Sequence, residues 1–151
     1  MQWIYNDGGR AQAGYKGSTG DCVTRSIAIA TGKPYQEVYD ALNTLATRER
    51  TGRRKRGTST ARTGVYRTTY QRYLESIGWA WTATMKIGQG CKTHLRADEL
   101  PGGRLIAVVS RHLCAVIDGV IYDTFDPSRD GTRCVYGYFS PASGSTGTTK
   151  G

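Results

Sequence analysis

Cys22 lies in the string Gly20-Asp21-Cys22-Val23-Thr24-Arg25-Ser26-Ile27, where a glycine-rich stretch runs into a short apolar segment. A thiol in the first turn of a helix faces unpaired backbone N–H groups and the positive end of the macrodipole, and both favour the thiolate. Far downstream come His112 and then Asp123. A thiol, an imidazole and a carboxylate can divide acyl-transfer chemistry among them. Cys22 would attack a carbonyl, His112 would pair with the thiolate and then protonate the leaving group, and Asp123 would orient the imidazole. The backbone N–H of Cys22 would serve as an oxyanion donor.

The chain around the last two residues permits a geometric check. Asp118-Gly119 separates two apolar runs and predicts a two-residue hairpin turn. Ile117 then pairs with Val120 and Cys114 with Asp123, so that His112, Cys114, Ile121 and Asp123 share a face. Asp123 is diagonal to His112, whereas Asp126 has the other parity.

The elements that must carry these residues follow from periodicity. A short strand and a glycine-rich loop are expected over residues 1–20. A helix over about 22–31 has Val23, Ile27 and Ala30 on one face and Gly32 as its stop. Pro34 opens a second helix to about Arg48, and Tyr66 to about Ile77 forms a third. From Trp79 onward the pattern is extended. Strands are predicted at 79–85, 105–109, 112–117, 120–125 and 135–139, with a short helix capped by Thr93 running to Leu100. Helices first and an antiparallel sheet second make an α+β domain over residues 1–139, and 140–151 is a Ser/Thr/Gly tail.

The chain is long enough for one core and carries a formal charge of +9. Nine basic residues against Glu49 place almost all of that charge between Arg48 and Arg72. The run from about 47 to 64 therefore predicts a basic inserted loop outside the core. Arg53, Arg54, Lys55, Arg56 and Arg62, with nearby tyrosines, suit either nucleic acid or an acidic protein; the same run also fits a merely solvated loop. No stretch approaches the roughly 20 apolar residues of a membrane span, and the first residues lack the pattern of a secretion signal. A cytoplasmic protein with four reduced cysteines is expected. Cys114 and Cys134 read as core residues, and His94 as a surface or capping residue. Cys91-x-x-His94 with His112-x-Cys114 has no standard zinc spacing, so no metal is assigned. No P-loop or dinucleotide-binding glycine pattern is present, and no cofactor is assigned.

A Cys at a helix start, followed by His and Asp on consecutive strands, resembles the papain-like cysteine peptidase superfamily. The likeness is to its small bacterial and phage-encoded branches, bacteriocin-processing peptidases among them, and the strings 21–28 and 112–124 also look like those of otherwise uncharacterised phage-encoded proteins. The resemblance implies helices packed on an antiparallel sheet, a Cys22-His112-Asp123 triad, a peptide or protein substrate and, for a phage-encoded chain, the host cytoplasm. Where that family carries a glutamine six residues before the nucleophile, this chain has Lys16, and its nearest glutamine is Gln12. Two functions follow as expectations. One is a thiol hydrolase acting on a peptide, isopeptide or related acyl bond. The other is a non-catalytic module of the same fold that binds nucleic acid or an acidic protein through residues 48–72.

Overall fold

The computed structural model describes residues 1–16, 20–49 and 57–142. Arg53, Arg54, Lys55 and Arg56, and most of the predicted tail, lie outside the described residues. The elements run β1 (Gln2–Tyr5), α1 (Cys22–Thr31), α2 (Tyr35–Ala46), α3 (Arg67–Ser76), β2 (Trp79–Ala83), β3 (Arg104–Val109), β4 (His112–Ile117), β5 (Val120–Asp123) and β6 (Val135–Pro141). The fold is mixed α+β. Gly32 ends α1 with φ of 76°, a conformation that a Cβ would strain, and its N–H closes back on the Ala28 carbonyl. Pro34 sits at the N-cap of α2 rather than in its first turn.

The six strands form one sheet in the order β1-β5-β4-β3-β6-β2. Its central pairings are antiparallel, but β1 lies parallel to β5, with Trp3 beside Ile121 and Tyr5 beside Asp123. The expected antiparallel sheet is thus a mixed one. A parallel neighbour needs a long connection, and here nearly the whole chain separates the two strands. The β4–β5 turn takes the predicted register, with Ile117 opposite Val120 and Val116 opposite Ile121. Asp118 and Gly119 both have positive φ, 49° and 79°, as a type I′ turn requires.

Two apolar cores sit on the two faces of the sheet. Against the helices, Ile27, Leu42 and Leu74 pack on Ile106, Leu113, Ala115 and Phe139. On the opposite face Leu95 and Leu100 cover Leu105, Cys114, Val116, Ile121 and Val135. The segment that supplies Leu95 and Leu100 is not the expected short helix. Its backbone pairs with the chain before β6, through Leu95 N–H to the Arg133 carbonyl (2.8 Å) and Val135 N–H to the Thr93 carbonyl (2.8 Å). Glu99 folds back to accept the His94 N–H, and residues 97–99 make a turn in place of a helix.

Two further expectations are corrected. Cys91 and Cys134 form a disulfide, with Cα atoms 5.8 Å apart, so the four cysteines are not all free thiols. Sequence spacing gave no warning, because the bridge joins a glycine loop to a residue 43 positions away that only the His94–Cys134 strand pairing brings near. The 47–64 segment is also not wholly outside the core. Ala61 is buried in the helix-side core, its N–H bonded to Asn43 Oδ1 (2.8 Å) and its carbonyl to Thr24 Oγ1 (2.6 Å). Glu49 gathers the Ser59 N–H (2.6 Å) and the Ser59 and Thr69 hydroxyls, which ties 57–66 to α2 and α3.

These placements fix two measurable outcomes. A thiol reagent applied to the native oxidised protein should modify Cys22, reach the buried Cys114 only on unfolding, and find Cys91 and Cys134 only after reduction. Enlarging the buried Ala61 to Leu should overpack the core and cost about 1–3 kcal/mol, read as a lowered thermal midpoint.

Candidate active site

The start of α1 is shaped by where Asp21 does not go. It occupies the N-cap position, yet no side chain caps the helix. The Asp21 carboxylate instead turns inward to the Arg25 guanidinium and to the Tyr35 hydroxyl (2.6 Å). The first-turn N–H groups are therefore left facing outward beside Cys22, which keeps their partial positive charge at the thiol.

Arg25, one turn further along the same helix, joins that carboxylate to a second. Its Nε and Nη2 donate to Asp123 Oδ1 at 3.2 and 2.9 Å. The Thr124 N–H donates to the same oxygen at 2.7 Å. The other oxygen, Oδ2, lies 2.6 Å from His112 Nε2. With Nε2 so engaged, Nδ1 is the ring nitrogen open to the Cys22 thiol, which lines the same cleft as His112 and is coupled to it electrostatically. The structure thus brings Cys22, His112 and Asp123 into one chain of contacts. Asp126 lies apart and accepts the Ser128 N–H.

Strand parity alone would leave His112 and Asp123 on the Cys114 face, away from α1. They reach α1 from the strand ends: His112 opens β4, paired with Val109, and Asp123 closes β5, paired with Tyr5, both beyond the last β4–β5 pair, Ala115 with Tyr122. The two strands and β1 secure them there. The Trp3 indole N–H and the Asn6 N–H both donate to the Asp123 carbonyl at 3.0 Å.

Electrostatics in the site run against burial and overcome it. Desolvation pushes the Cys22 thiol up, but the His112 hydrogen bond and charge, the Leu113 N–H and Arg25 together hold it below the ordinary thiol range. Desolvation pushes His112 down, and the Asp123 and Cys22 hydrogen bonds outweigh it, leaving the imidazole raised. The two shifts both favour a thiolate–imidazolium pair. Cys114, fully buried, is driven the other way and stays a neutral thiol.

A cleft of about 840 Å³ opens over Cys22 and His112. Tyr66, Tyr70, Phe125 and Tyr136 give it aromatic walls, and the Phe125 ring lies 5.0 Å from the imidazole. Neither Lys16 nor Gln12 lines it. Arg62 donates to the Lys16 carbonyl (2.8 Å), so at least part of its guanidinium ties two loops together. Cys91 is committed to its disulfide and His94 to Glu99, which separates both from His112 and Cys114.

Sequence reasoning missed Arg25, Asp21 and Tyr35. A signal existed for two of them, because Asp21 and Arg25 are four apart and Arg25 is the one charged residue in α1. No helix among the described residues is long and apolar enough to cross a membrane. Comparison with protein-family models, with curated proteins and with solved structures finds no match to this chain.

The pH dependence of Cys22 alkylation should follow from the shifts. Reactivity should rise with pH through an apparent pKa below that of an ordinary thiol, and His112→Ala should move that rise upward. The check is the rate of iodoacetamide labelling from about pH 4 to 10, with mass mapping of the modified cysteine.

Proposed function

We propose that this chain is a papain-like thiol hydrolase acting on a peptide, isopeptide or related acyl bond. The observation that carries the reading is Cys22 and His112 lining one cleft, with His112 Nε2 held 2.6 Å from Asp123 Oδ2. The Cys22 thiolate adds to the carbonyl carbon, and the carbonyl electrons move onto oxygen near the start of α1. That oxyanion collapses, the C–N or C–O bond breaks, and the leaving group takes its proton from the His112 imidazolium. A thioester on Cys22 remains. Water, losing a proton to His112, then adds to the thioester, and cleavage of the C–S bond releases the acid and regenerates the thiolate–imidazolium pair.

Asp123 holds the ring in the tautomer this cycle needs. Both of its oxygens accept from donors, Arg25 and the Thr124 N–H on one side and His112 on the other. An asparagine has one acceptor and one donor end, so it either sets its NH₂ against Arg25 and the Thr124 N–H or donates it to Nε2 and holds the ring in the other tautomer. The alternative, a non-catalytic module using the 48–72 charge, gives no reason for a thiol sharing a cleft with a carboxylate-bound imidazole.

Asp123→Asn should therefore lower turnover of a peptide ester or fluorogenic peptide by about 10²-fold or more. It should also cost on the order of 1–3 kcal/mol of stability by weakening the pairing of buried Arg25. Asp126→Asn should do neither. If Cys22→Ser left turnover intact, the thiol mechanism would be wrong.

A further inference from the structure

The charge at the mouth of the cleft is one-sided. Among the described residues lining it, the one carboxylate is Asp21, which is 1% exposed and committed to Arg25 and Tyr35. Two exposed arginines, Arg67 and Arg111, line the same cleft. Arg67 is pre-set: its guanidinium carbon stands 4.2 Å over the Trp81 ring, and its Nε donates to Gln71 Oε1 at 3.3 Å. A glycine keeps this arrangement open, since a Cβ at residue 137 would collide with the Trp81 indole.

Arg111 is placed at a cost. It has φ of 57°, left-handed backbone that a non-glycine residue adopts only under constraint, and it immediately precedes His112. Its side chain makes no ion pair with any described residue. Two cations lining the cleft that holds Cys22, with no exposed carboxylate among the described residues lining it, create a positive potential over the place a substrate must enter. The exposed rings of Phe125 and Tyr136 add apolar surface to the same opening.

We infer that the cleft selects an anionic substrate, a peptide with an aspartate or glutamate side chain next to the acyl bond that Cys22 attacks, with Arg67 and Arg111 as its specificity determinants. The inference rests on the thiol-hydrolase reading and adds its substrate class. The guanidinium forks would bind the carboxylate in charge-assisted pairs, and a lysine or arginine at that position would be repelled.

Iodoacetate and iodoacetamide separate the two ideas. Each alkylates by the same step, in which the Cys22 sulfur forms a bond to the CH₂ carbon as the C–I bond breaks and iodide leaves. They differ in carrying a carboxylate or a neutral amide. The ratio of their rate constants at Cys22, divided by that for N-acetylcysteine amide, should exceed unity several-fold and fall with added salt. Arg67→Gln and Arg111→Gln should each reduce the ratio by about twofold to fivefold. Arg111→Lys should restore most of it, and Lys86→Gln, at an exposed position outside the cleft, should leave it unchanged. Peptide esters with Glu should likewise be preferred over the Gln analogue through KM, and the preference should shrink in the same two variants. A ratio indifferent to both arginines would overturn the substrate class while Cys22 remained a reactive thiol. A Cys22 no more reactive than the free thiol toward either reagent would overturn both readings.

Discussion

Everything around the candidate site is organised by one buried guanidinium. Arg25 reaches Asp21 on its own helix and Asp123 at the end of β5, and all three are nearly excluded from solvent. Removing such a charge from water is costly, and only close pairing with well-placed acceptors offsets it. The pairing therefore dictates geometry. It draws Asp21 off the helix end, fixes the distance from α1 to β5, and leaves one oxygen of Asp123 for His112. With Arg10 approaching Asp21 at 3.9 Å, three positive groups, counting protonated His112, face three negative ones, counting ionised Cys22. The site is electrically balanced in the ion-pair state.

Much of this was legible because it depends on short-range rules. The boundary of α1 follows from Cys22 to Gly32, and the register of β4 on β5 follows from Asp118-Gly119. Both are decided within a few residues. The diagonal placement of Asp123 beside His112 came from the same alternation. What alternation could not say is that α1 would meet these strands at their ends, where Arg25 reaches Asp123 and Cys22 shares a cleft with His112.

The rest was hidden because distant segments decide it. The β1–β5 pairing, the Cys91–Cys134 bond and the burial of Ala61 all join residues with no common local signal. Ala61 shows the difficulty well. It lies in a polar stretch that reads as loop, and its place in the core depends on Thr24 and Asn43, from two other helices, satisfying its backbone. Arg25 was masked differently. A lone charge in a helix has no meaning until its acceptors are known.

The parallel seating of β1 against β5 has a temporal consequence. Trp3 holds the carbonyl of Asp123 across a separation of 120 residues, and β4 must already be in place to receive β5. A ribosome releases the Cys22 segment long before it makes the strands that carry the imidazole and the carboxylate. During that interval the thiol has neither partner and keeps the low nucleophilicity of an ordinary cysteine. The order of synthesis thus acts as a delay on the electrostatics that lower the Cys22 thiol, which come into force only when the sheet closes.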